Sequence, residues 1–200
     1  MKVLLISANK FQIPYPVYPL GLDYVCDALS SKHRVKIVDL NVLGGTRELK
    51  STIAAFEPDI IGVSLRNIDN TDTVDSLGFL RDYRELLQGI REATRARIVL
   101  GGAGFSIFPK AAMQALGADF GIIGEGERMA ALLDAIERGE PVEHLPGVIS
   151  NNGIQNFPEP WSGKFHPHFS ANADHLKFYL KKGGMLNLQT KRGCPFRCIY

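Results

Sequence analysis

Cys194 and Cys198 stand three residues apart in Lys191-Arg192-Gly193-Cys194-Pro195-Phe196-Arg197-Cys198-Ile199-Tyr200. Thiolates are soft, anionic ligands suited to iron or zinc. A third cysteine at the next position would complete C-x-x-x-C-x-x-C. A lone C-x-x-x-C is also compatible with part of a zinc site or a chance pair. The apolar stretch Met185–Thr190 reads as a strand, which puts both thiols on a loop just past a strand end. The remaining cysteine, Cys26, lies among Tyr24, Val25 and Leu29 at helical spacing and reads as a small buried apolar residue. Three cysteines make no disulfide framework, and two of them clustered point to metal or redox chemistry in a reducing compartment, hence the cytoplasm.

Other ligating residue types are weaker candidates. His166-Pro167-His168 has no cysteine or carboxylate cluster at ligand spacing and fits a linker better. Glu125 and Glu127 resemble an acid/base pair, yet they precede a helix, where carboxylates are favourable in any case. His33 falls before the second strand, at the edge of the sheet away from any site, and is expected to be exposed.

The elements that must position these residues alternate strand and helix. Lys2–Ser7, Arg34–Asp39, Asp59–Leu65, Arg97–Leu100 and Asp119–Ile123 are continuous apolar runs, the pattern of strands buried on both faces of a parallel sheet. Leu20–Ser31, Arg47–Phe56, Thr73–Thr94, Pro109–Leu116 and Glu127–Arg138 have helical periodicity. The second helix stops at Glu57-Pro58, because a residue before proline avoids helical angles. The expected fold is α/β: a doubly wound, parallel, five-stranded flavodoxin- or Rossmann-like sheet in order 2-1-3-4-5 over residues 1–142. Ligands on such sheets bind beyond the carboxyl ends of the strands, where the strand order reverses. Residues 143–184 read as a hairpin, built on Leu145–Ser150 and Ile154–Phe157, and an irregular linker with a short helix near Asp174–Leu180. Residues 185–200 read as the first strand of a further, truncated domain.

The 200 residues are 45% hydrophobic and 22% charged, with a net charge of +2. That balance, without a Lys/Arg run, gives no footing for nucleic acid. The run Met1–Ile6 is too short for a signal peptide or a membrane-spanning helix, so no transmembrane segment is expected.

The expected strand, Thr190, the basic pair Lys191-Arg192, Gly193, and the aromatics Phe196 and Tyr200 around the cysteines together resemble the start of a radical S-adenosylmethionine (SAM) domain, a TIM-like barrel. The resemblance implies that Cys194 and Cys198 are two of three ligands to a [4Fe-4S] cluster whose open iron chelates S-adenosyl-L-methionine. It also implies a barrel and an electron donor such as flavodoxin or ferredoxin as partners, with the 200-residue chain inactive alone.

Upstream, Pro19-Leu20-Gly21-Leu22, Pro58–Ser64, Gly101-Gly102 and Asp119–Glu127, in that order, are similar to the cobalamin-binding domain that precedes many radical SAM enzymes. The resemblance places cobalamin contacts after each strand of the switch-point edge. These are Ser7, Ala8 and Asn9; Leu20 and Gly21 at the first helix; Ser64, Leu65, Arg66 and Asn67; Gly101, Gly102 and Ala103; and Gly124, Glu125 and Gly126. Glycines there let backbone approach a bulky ligand and offer it N–H groups. Arg66 is expected nearest the lower face of the cobalt, or else in an ion pair with Asp69 or Asp72. The loop after the first strand has no histidine, unlike cobalamin mutases and methionine synthases, which fits a cobalamin whose dimethylbenzimidazole is displaced and not replaced. The implied reaction is methyl transfer to an unactivated carbon, through methylcobalamin and a 5′-deoxyadenosyl radical. Alternatives are a cobalamin-dependent cyclisation or rearrangement, and a docking module that has lost cobalamin. Tyr15–Leu22 and Leu65–Asn70 resemble members of this group named for lipid biosynthesis, which implies a small-molecule or lipid-like substrate.

Overall fold

The computed structural model describes residues 1–69, 78–152, 156–159 and 173–183, together with positions 187 and 189. The five apolar runs form β1 (Lys2–Ser7), β2 (Arg34–Asp39), β3 (Ile60–Ser64), β4 (Arg97–Gly101) and β5 (Phe120–Ile122). They pair in parallel in the order β2-β1-β3-β4-β5. The switch of direction falls between β1 and β3, as the alternation of strand and helix requires.

Side-chain alternation divides the interior into two layers. Val3, Leu5, Ile60, Val99 and Ile122 face α1 (Leu20–Ser30) and α6 (Met129–Arg138), where Leu22, Val25, Leu29, Leu132 and Leu133 meet them. Leu4, Ile6, Ile61 and Ile98 face α2 (Thr46–Phe56), α3 (Leu80–Ala93) and α5 (Pro109–Leu116), against Leu49, Ile53, Leu87, Ile90 and Met113. Both layers are buried, which is why the strands are apolar throughout. At the end of α2, Glu57 takes φ 50° ahead of Pro58, leaving the helical region where proline forces it to.

The structure departs from the sequence expectation in four places. Among the described residues the sheet has six strands, not five, because β6 (Val148–Ser150) adds antiparallel to β5, with Phe120 opposite Ser150 and Ile122 opposite Val148. All three β6 residues are buried, so this segment covers the edge of β5, while the Gly147 amide donates to the Asn156 carbonyl at 3.1 Å, a bond of the expected hairpin. The Val148 carbonyl still accepts a bond from the Asn156 amide at 3.3 Å, and the sheet thus continues past residue 142. Second, α3 begins at Leu80: Gly78 sits in a bridge with Asp69, the Phe79 amide donates to the Ile68 carbonyl at 2.8 Å, and residues 73–77 of the expected helix lie outside the described residues. Third, a short helix α4 (Ala103–Ile107) stands where only a loop was expected, and α7 (Ala173–Gly183) has eleven residues instead of one or two turns. Fourth, His33 is buried, at 7% exposure, because Met1 and Glu137 of α6 close over it. Its Nδ1 lies 3.6 Å from Glu137 Oε1, and Asp134 completes a cluster with these two residues. The cations already there, Lys32 at 2.7 Å from Asp134 and the Met1 amine at 3.4 Å from Glu137, balance its carboxylates.

Cys26 is half-buried against the α1/α6 layer, with its Sγ 3.5 Å from Ser30 Oγ. Among the described residues no helix is long and apolar enough to cross a membrane.

A buried polar network seals the β2–β1 half of the carboxyl edge. Tyr179 of α7 donates to Asp39 Oδ2 at 2.5 Å, and the Asn41 amide donates to Asp39 Oδ1 at 3.0 Å. Asn41 Nδ2 donates to the Tyr179 hydroxyl at 3.3 Å, and Gln12 donates to Asn41 Oδ1 at 3.2 Å. Beside it, Tyr18 donates to Asp23 at 2.7 Å, and the rings of Tyr18 and Tyr179 meet edge to face at 5.3 Å. Burial pushes the carboxyls of Asp39 and Asp23 above their ordinary range, with the tyrosine hydrogen bonds and the charge of His175 pulling the other way.

The substitution D39A strands the Tyr179 hydroxyl and the Asn41 amide and is expected to cost about 2 kcal/mol in urea unfolding. The variant D39N keeps an acceptor and does not titrate. Because the folded-state pKa of Asp39 is raised, its burial penalty is present at neutral pH and relieved as pH falls into the carboxylate range. The stability of D39N relative to the natural chain is therefore expected to rise between pH 4 and pH 7. A difference flat with pH would contradict this.

Candidate functional site

The other half of the carboxyl edge is open. A cavity of about 540 Å³ lies between α1 and the sheet, beyond the ends of β3, β4 and β5. Leu5, Val25, Val99, Ile122 and Met129 form its walls, and all five are buried. Ser64, Ser106, Glu125, Glu127 and Gln189, none of them fully buried, contribute polar side chains.

Three of the lining glycines sit where a Cβ would crowd a neighbour. Gly62 lies in the middle of β3, where a Cβ would come within 2.8 Å of Leu5 Cδ2. Gly126 opens the 3₁₀ turn Gly126–Arg128 ahead of α6, and a Cβ there would stand 2.5 Å from Val25 Cγ2. Gly102, between β4 and α4, has φ 97°, and a Cβ there would meet the Leu65 carbonyl oxygen at 2.6 Å. Glycine is required at this position on both counts.

Ser106 of α4 joins two of the glycine loops. Its hydroxyl donates to the Gly102 carbonyl at 3.0 Å and accepts from the Gly124 amide at 3.0 Å. On the far loop, Arg128 reaches Glu125 Oε2 at 3.4 Å and also donates to the Glu159 carbonyl.

Nine of the expected contacts line this one cavity: Leu20, Gly21, Ser64, Gly101, Gly102, Ala103, Gly124, Glu125 and Gly126. Six do not. Ser7, Ala8 and Asn9 belong to the sealed half: the Asn9 side chain accepts from the Phe11 amide at 3.2 Å, and the Ala8 amide donates to the Ser64 carbonyl. Leu65 is buried in the opposite layer, and Arg66 is exposed just past β3. The Asn67 carbonyl accepts from the Tyr83 hydroxyl at 2.7 Å. Cys194, Cys198, His166 and His168 lie outside the described residues, as does most of the strand expected over Met185–Thr190.

Sequence reasoning missed Gly62, Val25, Ser106, Met129 and Gln189 as lining residues. For Gly62 a signal was present, since a glycine inside a buried strand marks close approach. Ser106 had none, because its helix was not anticipated.

The sequence profile of the B12 binding domain matches residues 6–134. The chain belongs to that family. It is 32% identical over 160 residues to tryptophan 2-C-methyltransferase from Streptomyces laurentii, covering 77% of this chain and 26% of that protein. The radical S-adenosylmethionine methyltransferase TsrM from Kitasatospora setae, solved with tryptophan and a SAM analogue, superposes with TM-score 0.72 at 31% identity, over 80% of this chain and 30% of that one. The cobalamin-dependent S-adenosylmethionine radical enzyme OxsB, solved with aqua-cobalamin and S-adenosylmethionine, shares the fold with TM-score 0.76 at 20% identity, over 96% of this chain and 27% of that one. The chain spans between 26% and 47% of the length of the curated relatives it matches.

Replacing Gly102 with alanine puts a Cβ at positive φ and against the Leu65 carbonyl. It is expected to lower unfolding free energy by about 2 kcal/mol or more. Ser106→Ala removes one bridging hydroxyl and is expected to cost about 1 kcal/mol. Urea denaturation checks both; a neutral G102A would show that the loop between β4 and α4 is not under the constraint described.

Proposed function

We propose that this chain is the cobalamin-holding part of a radical SAM methyltransferase. The observation that carries the reading is the apolar cavity of about 540 Å³ at the carboxyl ends of β3, β4 and β5. Its volume is in the range of small-molecule and cofactor sites. It stands where doubly wound sheets take their ligands, inside the segment matched by the B12 binding domain.

In this reading the residues lining the cavity between α1 and the sheet would hold the nucleotide tail of the cofactor. Gly62 and Gly126 border the room, while Gly102 and Gly124, tied by Ser106, fix the loops at the rim. When bound, cobalamin supplies a methyl carrier, and a [4Fe-4S] cluster with S-adenosylmethionine supplies one-electron chemistry. Cys194 and Cys198 are the residues proposed to hold that cluster, and Arg66 is proposed to face the lower side of the cobalt. A cation there disfavours a further ligand. Methyl transfer to an unactivated carbon is favoured over cyclisation by the relatives, the first of which is named as a C-methyltransferase.

Titration of the full chain with hydroxocobalamin is expected to give saturable binding at micromolar concentration or below. Gly126→Leu drives a side chain into Val25 and the cavity. It is expected to weaken binding at least about tenfold while circular dichroism shows a folded chain. Absence of binding by the natural chain well above micromolar concentration overturns the proposal.

A further inference from the structure

We infer that Arg128 is a positioning residue that couples the cavity to the linker, so that an occupant of the cavity tightens the linker's hold on the rim. This rests on the cobalamin reading above and adds a coupling to it.

Arg128 closes the 3₁₀ turn ahead of α6, and its side chain is only 10% exposed. One of its nitrogens serves two segments. Nη2 donates to Glu125 Oε2 at 3.4 Å and also to the Glu159 carbonyl of the linker. Nη1 donates to the Pro146 carbonyl, just ahead of β6, at 3.5 Å. The stem is enclosed as well: a Cβ on Gly147, which has φ 75°, would stand 2.9 Å from Arg128 Cδ. A guanidinium holds its donors in one rigid plane and has no acceptor. It therefore cannot turn away from one of these partners without disturbing the others.

The two ends of this bridge have different surroundings. At one end Glu125 lines the cavity, with its side chain 26% exposed, so an occupant covers it. At the other end the linker lies against the rim. Pro158 Cβ would be 3.6 Å from a Cβ on Gly124, and the Asn156 carbonyl accepts from the Gly147 amide at 3.1 Å. Covering Glu125 removes water from its pair with Arg128 and strengthens their attraction, because the local dielectric falls. With Nη2 held more firmly, its bond to Glu159 opens less often. A simple ion pair would hold Glu125 alone; the shared nitrogen carries the effect to the linker. The linker leads in sequence to Cys194 and Cys198, so the coupling ties occupancy of the cavity to the chain bearing the proposed cluster ligands.

Hydrogen exchange at the Asn156, Phe157 and Glu159 amides of the full chain, with and without saturating hydroxocobalamin, tests this. The natural chain is expected to exchange there about fivefold more slowly, or slower still, when loaded. Glu125→Ala cuts the bridge at the cavity end and leaves Arg128 on Pro146 and Glu159. Its exchange without hydroxocobalamin is expected within about twofold of the natural rate, and the effect of loading is expected to vanish. Arg128→Met is expected to speed exchange in both states. Because coupling is reciprocal, it is also expected to bind hydroxocobalamin about fivefold more weakly. If circular dichroism shows Arg128→Met unfolded, Glu125→Ala decides alone. Linker exchange that loading leaves unchanged in the natural chain overturns the inference, as does a Glu125→Ala chain that slows as much as the natural one. Both results leave the cobalamin reading standing. Failure of the natural chain to bind hydroxocobalamin overturns that reading, and this inference with it.

Discussion

Gly62, Gly102 and Gly126 border the site, and at each of them a Cβ would stand less than 3 Å from a neighbouring protein atom. Protein interiors are close-packed, and an apolar gap of several hundred cubic ångströms forfeits the contacts that stabilise a core. At its border Gly62 lets Leu5 and Met129 pack close against β3, and Gly126 lets the turn before α6 come against Val25 of α1. Gly102 folds the chain back over β3 at an angle no other residue adopts easily.

The rest of the fold stabilises this arrangement. The opposite face is filled in the ordinary way by α2, α3 and α5. On the cavity's own face, Leu29, Leu132 and Leu133 pack the amino-terminal half of the strands solidly, so the space is confined to the carboxyl half. The polar network of Asp39, Tyr179, Asn41, Tyr18 and Asp23 stops up the adjoining edge with the chain's own side chains. Two carboxyls buried among tyrosines are an expensive way to dock a helix, because burial disfavours their charge. The arrangement nevertheless leaves the open edge at β3, β4 and β5, and it fixes α7 beside the sheet.

Much of this was legible from residue types. Continuous apolar strands imply a parallel sheet, and alternation with helices implies the strand order, which together place a site at the carboxyl edge. The glycines at 101, 102, 124 and 126 could be assigned to that edge because each follows a strand. The loop after β1 could not be read correctly: Ser7, Ala8 and Asn9 occupy the same formal position, but their surroundings depend on α7, more than 130 residues away in sequence. The sixth strand was legible within Leu145–Ser150, but its pairing with β5 was not, for a similar reason. A three-residue apolar segment carries too little periodicity to show that it will pair with the edge of β5. His33 looked exposed because nothing local reveals that Met1 and Glu137 cover it. In each case the deciding contact is tertiary, while the correct expectations rest on patterns that the backbone itself imposes.

The central claim is that the cavity, and not the cobalt, takes the nucleotide tail of a bound cobalamin. Electron paramagnetic resonance of the chain loaded with cob(II)alamin reads this directly, because a nitrogen axial to cobalt splits each line into three. The account predicts a spectrum without nitrogen splitting. A three-line splitting that becomes two-line when the dimethylbenzimidazole is 15N-labelled would place that base on the metal, leave the cavity without its occupant, and contradict the account.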